Sequence, residues 1–508
     1  MTRDKHIAAV DMGTNSFHMI IAKTEDNNAF RIVDRMKHWV RLGDGVDKRG
    51  RLDESAIQRM IDSLSYFKEL ANSYDAQIHC IATSAMRDAP NRHAIARRIR
   101  NELGLTVEIV SGEEEARLVF QGVRAEGYIR DQAAHIIDIG GGSTEVIVGN
   151  KDCVLAAESL DMGARRYART FFSSERYTKQ ELNKCKRAAA SKIQSVSSEF
   201  IGFDVQSVYG TSGTIRTLAE ITAHFCQRED NTQLLLEDLK SIRHQLIQGV
   251  KDDTLPGEVE KERQATLVAG SIILEEVMAA LNIQSLRVCP SALREGIVFD
   301  RIETSGRLPL QPIRASSSSM AKRFNLNQGQ IQRVSTTAEH IFNAYAEALQ
   351  LNEEAHRLLL AACQLHEIGL TISHKKIHLH GGYIIEHSNL TGITQRQQQM
   401  LAAMVRFHRK TKPSPKDAVF KVMRSSDVDT TISLAAILRL AAALNRTKGS
   451  TTAIPTIVER KTAWHWFFEQ DWYEQHEVCV WNANHEKLPL SKLLGKAILL
   501  KPAKPSKK

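Results

Sequence analysis

Two stretches carry residue types able to handle a phosphate: Ile7 to Ser16, read IAAVDMGTNS, and His135 to Glu145, read HIIDIGGGSTE. Each is an apolar run that reaches an aspartate, turns through glycine and hydroxyl residues, and enters a second apolar run, Phe17 to Ala22 in one and Val146 to Val148 in the other. Glycine places no Cβ between backbone and ligand, so such a turn lets N–H groups point at an anion. Asp138 and Glu145 bracket the second turn. Two carboxylates beside a phosphate cradle suit a hard cation such as Mg2+ or Mn2+. A single glycine run is ordinary turn punctuation, but two copies predict a duplication, with two phosphate loops facing one another across a cleft.

Two further segments bear on the same chemistry. Ser111-Gly112-Glu113-Glu114-Glu115 follows a short apolar strand, and Ser111 and Glu114 have capping-box spacing, so Glu114 is expected to reach back to the Ser111 N–H. Glu115 has no such local partner. It is either an acid on a solvated helix face or a base for water. Gly210-Thr211-Ser212-Gly213-Thr214 lies where a strand enters a helix, a third place for an anion at a helix N-terminus.

The elements that must position these residues follow from periodicity. Strands 17–24 and 30–35 form a hairpin across Asp26-Asn27-Asn28. A helix over 54–71 follows from Ile57, Met60, Ile61, Leu64, Phe67 and Leu70, with Asp53 as its cap. Strand 77–83, a helix near 92–103 and strand 106–110 complete one α/β unit. Strands 135–139, 145–150, 153–160, 204–209 and 285–289, with helices between and after them, make the second.

At 508 residues the chain exceeds one hydrophobic core. Apolar residues at 42% and charged residues at 25% are ordinary globular usage, which excludes fibrous and disordered classes. No run reaches the ~20 apolar residues of a membrane span, and no signal peptide is read at the N-terminus, so a cytoplasmic protein is expected. Seven cysteines stand singly, without a CxxC pair, which argues against a disulfide framework or a structural zinc site. A net charge of +9 implies an acidic partner, and a polyphosphate or a highly phosphorylated nucleotide serves as well as nucleic acid.

From about 311 the texture changes. Ser316 to Ser319 read as a linker, residues 327–449 as mostly helical, and residues from 451 as a small β-containing block with four of the five tryptophans. The helical part holds His366-Glu367, His374, His378, His380, His387 and His408, and a basic run containing Arg406, Arg409, Lys410, Lys412, Lys416, Lys421 and Arg424. That run is either a solvated face or a track for a polyanion. The tail from Lys501 reads as basic and disordered.

Taken together, VDMGTNSFHM at 10–19, SGEEEARLVFQGV at 111–123, DIGGGSTE at 138–145, GTSGTI at 210–215, ALREG at 292–296 and LHEIGL at 365–370 resemble the exopolyphosphatase and guanosine pentaphosphate phosphohydrolase family over nearly the whole chain. The resemblance implies an α/β protein of two ribonuclease-H-like (actin-like ATPase) lobes, 1–122 and 123–305. An all-α HD-like domain at 311–449, a small α+β domain at 451–500 and the tail 501–508 would follow. It implies a Glu115 general base, metal-proximal acids Asp138 and Glu145, and a first-loop Asp11. It puts phosphate on Asn15, Ser16, Gly140, Gly141, Gly142, Ser143, Thr144, Ser212 and Gly213, with Arg87 touching substrate and Lys192 and Arg263 in a substrate channel. The implied reaction is hydrolysis of a terminal phosphoanhydride by an in-line water.

Inorganic polyphosphate is the expected substrate and guanosine pentaphosphate the alternative. Mg2+ or Mn2+ is the expected cofactor, a homodimer the expected assembly, and no specific nucleic acid is expected. The HD-like domain departs from its relatives, because His366 is followed by Glu367, Gln332 stands near the expected first ligand and Ala442 near the last. Too few ligands remain there for a metal pair. An actin-fold ATPase or kinase and a non-catalytic polyanion or alarmone sensor are the competing classes, since fold alone does not fix function.

Overall fold

The structure, a computed structural model, describes residues 6–25, 29–129, 132–151, 153–172, 177–228, 230–252, 261–306, 312–388, 390, 393–410, 413–421, 423–447, 452 and 454–503. The expected turn at Asp26 to Asn28, Lys412 of the basic run and the last residues of the tail, 504–508, lie outside them. The chain divides into two units, Met1–Leu308 and Pro309–Lys508.

The first unit holds two sheets. One contains β1 (His6–Met12), β2 (Phe17–Thr24), β3 (Phe30–His38), β4 (Ala76–Ala82) and β5 (Val107–Ile109) in the order β3-β2-β1-β4-β5. The other contains β6 (Ala133–Ile139), β7 (Thr144–Gly149), β8 (Val154–Leu160), β9 (Val205–Thr211), β10 (Gln233–Leu235) and β11 (Ser285–Val288) in the order β10-β11-β9-β6-β7-β8. Apart from the edge strand β10, the second order repeats the first: an antiparallel three-strand meander whose first strand then pairs in parallel with later strands. The duplication read from the two aspartate turns is present in the topology.

Local chemistry sets the helices. In Glu54–Ser73 the Asp53 carboxylate accepts from the Ala56 N–H at 2.8 Å, and Ile57, Met60, Ile61, Leu64 and Phe67 are buried at the helical period. The helix Gly112–Ala125 is capped by Ser111, whose hydroxyl accepts from the Glu114 N–H at 3.2 Å. Glu114 itself does not close the expected capping box. Its carboxylate takes Arg117 in two bonds of 2.8 Å, and Arg117 also donates to Asp300 at 2.8 Å, because a buried guanidinium must be paired. The expected lobe boundary at 122/123 falls inside this helix, which packs on Leu293–Gly306. One core joins Ile7, Ala9 and Ile20 of the first sheet to Ile136 and Ile147 of the second.

In the second unit, Ser316 to Ser319 form no linker. They lie inside the helix Pro312–Arg323, where the buried Ser317 hydroxyl donates to the Ile313 carbonyl at 2.7 Å and also pairs with Gln364. Helices Gln328–Tyr345, Glu353–Leu365, Ile377–Glu386, Gln395–Phe407 and Ser425–Leu444 follow. β12 (Thr456–Glu459), β13 (Ala463–Phe468) and β14 (Ala497–Pro502) form a sheet in that order, with β13 and β14 parallel. The block expected as a separate domain at 451–500 shares one core with the helices: Trp466, Phe468, Ile498 and Leu500 pack with Tyr345, Leu358 and Leu434. Lys501 and Pro502, expected in a disordered tail, pair with Phe467 and Phe468 in β14. Among the described residues no helix is long and apolar enough to cross a membrane, and all seven cysteines are unpaired.

Candidate active site

The ends of β1 and β6 bring the two aspartates to one cleft of about 840 Å³ in the first unit. Asp11 lies opposite His18 across β1–β2, and Asp138 lies opposite Glu145 across β6–β7, at the same separation along the chain. Directly opposed residues project to the same face of a sheet, so each hairpin offers a pair to the cleft. The pairs differ. The second sheet supplies two carboxylates, and the first supplies one and an imidazole.

Hydrogen bonds hold the acids in place. Thr211 Oγ1 donates to Asp138 Oδ2 at 2.7 Å, Ser159 Oγ to Glu145 Oε1 at 2.7 Å, and Arg87 Nη1 to Glu115 Oε2 at 2.8 Å. Burial pushes the Asp11 carboxyl up to about 7; Arg294 opposes this, and Glu115 and Asp138 reinforce it. Burial raises Asp138 to about 6, with Thr211 opposing and Glu115 adding. It raises Glu145 well above the ordinary carboxylate range, helped by Glu115 and Asp138, and it raises Glu115 against the pull of Arg87. His18 is driven the other way, to about 3, by burial and then by Arg294. It is a neutral ring, with Nε2 2.8 Å from Ser16 Oγ.

The second glycine turn is built as a cradle. The carbonyls of Gly140, Gly141 and Gly142 accept from the N–H groups of Ala164, Arg166 and Gly163, which turns them toward the helix Ala164–Phe171. Gly140 also donates to the Ser143 carbonyl at 3.0 Å and closes the turn. A Cβ at Gly142 would overlap Ser84 Oγ and lie 2.8 Å from Thr14 Oγ1, so the two loops nearly touch. On the far wall Thr211 gives no cap to the helix Ser212–Phe225, while Ser212 Oγ accepts from the Ile215 N–H at 3.4 Å. Its first residues Ser212, Gly213 and Thr214 line the cleft, and Ser212 holds a left-handed φ of 80°. The other N–H groups of a helix start that faces a cleft are suited to an anion. A strained non-glycine residue persists only where its surroundings hold it.

Of the residues singled out from the sequence, Asp11, Asn15, Ser16, Glu115, Asp138, Gly140, Gly141, Gly142, Ser143, Glu145, Ser212, Gly213 and Arg263 line this cleft. Three are not among the lining residues. Thr144 is fully buried in β7 and its hydroxyl donates to the Met162 carbonyl at 2.7 Å. Arg87 lies against Glu115 and the Val110 carbonyl. Lys192 is exposed on the helix Lys179–Gln194, one position before the buried Ile193. Sequence reasoning passed over Arg35, Lys37, Trp39, Arg41, Arg165, Arg216 and Arg294, which also line the cleft. The alternation of Arg35, Lys37 and Trp39 is a signal that could have found three of them, since every second residue of an extended segment shares a face, whereas Arg41 sits in a left-handed turn. Arg165 joins the sheets by donating to Asp44 at 2.6 Å and to Asn15, while Arg166 donates to Asp88 at 2.6 Å.

The model of the Ppx/GppA phosphatase family matches residues 20–305, and that of Ppx/GppA phosphatase, domain III, matches residues 313–487. The chain belongs to the Ppx/GppA phosphatase family. A Ppx/GppA relative from Photobacterium profundum, guanosine-5'-triphosphate,3'-diphosphate pyrophosphatase, is 32% identical over 435 residues, covering 85% of this chain and 86% of its own. The solved exopolyphosphatase of Cytophaga hutchinsonii is 26% identical with a TM-score of 0.54, over 59% of this chain and 98% of that one. The Aquifex aeolicus PPX-GPPA enzyme is 26% identical with a TM-score of 0.50, over 58% and 99%. The Ppx/GppA fold here is therefore the actin-like α/β architecture followed by a helical region.

Proposed function

We propose that this chain hydrolyses the terminal phosphoanhydride of a polyphosphate end, releasing orthophosphate, with Glu115 as general base. The observation that carries the reading is the placement of Glu115, on the first turn of a helix, in the same cleft as the glycine turn and the start of the helix Ser212–Phe225. A water oxygen attacks the terminal phosphorus in line, and the bridging P–O bond breaks. The water's proton passes to the Glu115 carboxylate, while the negative charge moves to the leaving phosphate oxygen. A carboxylate raised by burial is a better proton acceptor at neutral pH than an ordinary one. N–H donors of the cradle and the cations Arg263 and Arg294 would hold the oxygens as charge develops.

A divalent cation, Mg2+ or Mn2+, belongs to the same proposal. Asp11, Asp138 and Glu145 are carboxyls held at raised pKa by burial and mutual repulsion, which a hard cation would relieve. Among the described residues no three His, Cys, Asp or Glu groups form a full metal cluster. The proposed ion would be bound through one or two carboxylates, with Asp138 and Glu145 the candidates, and otherwise through water and substrate phosphate. When bound, it would neutralise charge on the phosphate oxygens.

Inorganic polyphosphate and guanosine pentaphosphate are both proposed as substrates, the second favoured by the 32% identical relative that carries the pyrophosphatase name. In the second unit His366, Glu367, His408 and Ala442 line a cavity of about 70 Å³. We read it as the remnant of an HD-type site, with His408 held neutral by burial and Ala442 at a ligand position. A cytoplasmic location, in keeping with seven unpaired thiols, and a homodimer complete the proposal.

The test is orthophosphate release from long-chain polyphosphate and from guanosine pentaphosphate with Mg2+, for the unmutated protein and Glu115→Gln. Release that falls by about 10³-fold or more in the variant supports the base. No release from either substrate sinks the reading.

A further inference from the structure

Trp39 stands at the cleft, one residue past the end of β3, with 42% of its surface exposed. Among the described residues that line the cleft it is the only Phe, Tyr or Trp. It is part of a strip in which Arg35, Lys37 and Trp39 alternate as exposed residues along one segment, with exposed Arg41 in the left-handed turn that follows. The Lys37 ammonium sits 3.6 Å from the centre of the Trp39 ring, a cation–π contact that fixes the indole plane and places a positive charge beside it.

Cations alone would serve an inorganic polyphosphate, which has no π face and no apolar surface. An exposed indole set among them matches a ligand that is anionic at one end and aromatic at the other. Base-on-aromatic stacking is sequence-tolerant and strong enough to orient a nucleotide. The space agrees. About 840 Å³ lies toward the upper end of the ~300–1,000 Å³ range of small-molecule sites, which leaves room for a nucleoside beyond the terminal phosphates.

We infer that Trp39 is the stacking platform for the nucleobase of a nucleoside polyphosphate whose phosphate end lies in the glycine loops. The inference rests on the phosphatase reading for where that end lies. Trp39 is thereby a specificity-determining residue, one that separates nucleotide from inorganic substrate at a shared site.

The experiment compares dissociation constants by calorimetry in the Glu115→Gln protein, with and without Trp39→Leu, for guanosine pentaphosphate and for inorganic tripolyphosphate. Trp39→Leu should weaken the nucleotide about tenfold and tripolyphosphate by less than about twofold, and Trp39→Phe should keep most of the nucleotide affinity. Equal losses for the two ligands, no loss for the nucleotide, or a Phe variant as weak as the Leu variant would overturn the platform. Phosphate release by the unmutated protein is scored separately. A tenfold selective loss without hydrolysis keeps the platform and removes the phosphatase reading, and hydrolysis with no selective loss does the reverse.

Discussion

Arg87 Nη1 lies 2.8 Å from Glu115 Oε2, tying the short helix Ser84–Asp88 to the first turn of the helix Gly112–Ala125. Both side chains are mostly withdrawn from solvent, at 18% and 11% exposure, so the pair is weakly screened. Burial raises the Glu115 carboxyl and Arg87 holds it down. Removing the guanidinium in Arg87→Ala should therefore move the acid limb of the kcat/KM profile to higher pH and lower the rate by about 10²-fold. Arg87→Lys should recover part of both. An acid limb that stays in place in Arg87→Ala would show that Arg87 does not set the ionisation of the base.

The proposed cation and the buried acids make metal dependence and pH a single prediction. Asp11 and Asp138 have folded pKa values of about 7 and about 6, above an ordinary 3.8. The unfolded chain gives up those protons first. Their contribution to stability is complete below about 4 and is lost as pH rises through 6 and 7. In chelator, the melting temperature should fall across that window. Mg2+ should restore more of it at pH 8 than at pH 5, because the ion competes with protons for the same oxygens. Asp11→Asn should raise the chelated melting temperature at pH 8. Thermal melts with chelator or Mg2+ at several pH values decide the matter, and a Mg2+ effect independent of pH would contradict it.

Gly142 and Gly296 make different predictions from similar crowding. Ala at 142 would strike Ser84 Oγ, the end of a side chain that can rotate, so the loop moves slightly and the fold survives. Activity should fall by about 10²-fold with little change in melting temperature. Ala at 296 would overlap the Leu118 carbonyl oxygen and sit 2.7 Å from its carbon, both backbone atoms of the helix that carries Glu115. That substitution should cost about 1–3 kcal/mol or more, and stability and activity should fall together. Paired melts and rate assays separate the two cases.

In the second unit the buried Trp466 donates through Nε1 to the Tyr345 hydroxyl at 2.6 Å. Trp466→Phe fills much of the space but removes the donor and leaves a cavity. The cost should be about 2–4 kcal/mol in denaturant unfolding of that unit. Tyr345→Phe, which removes the acceptor instead and leaves a buried indole N–H unpaired, should cost about 1–3 kcal/mol. Little effect from either would show that the sheet is not anchored through this bond.

The strand frame of the first unit was legible because alternation, aspartate turns and glycines act locally. Glu115 was singled out through the resemblance, but its burial was not visible, since helix periodicity alone left it on a face that water or a cleft could own. The cleft cation Arg216 gave no sign, because an isolated basic residue on a helix reads as a solvated face until another element closes over it, and Arg294 lay inside the quoted ALREG stretch without being singled out. At Thr144 the local fold adds what the motif did not show. The residue belongs to the phosphate-loop motif, yet the strand that begins there turns its hydroxyl inward to Met162. Ser316 to Ser319 read as a linker on propensity, and tertiary burial of Ser317 overrode that.

β14 carries a consequence for how the second unit can be cut. The domain III match ends at residue 487, whereas β14 runs from Ala497 to Pro502 and covers one whole edge of β13. A chain stopped at 487 would keep every residue of the matched segment and still expose the unpaired backbone of β13 beside Trp464 and Trp466. A bared, aromatic strand edge is a template for joining other chains. Such a fragment should assemble into aggregates instead of staying a monomer with one face missing.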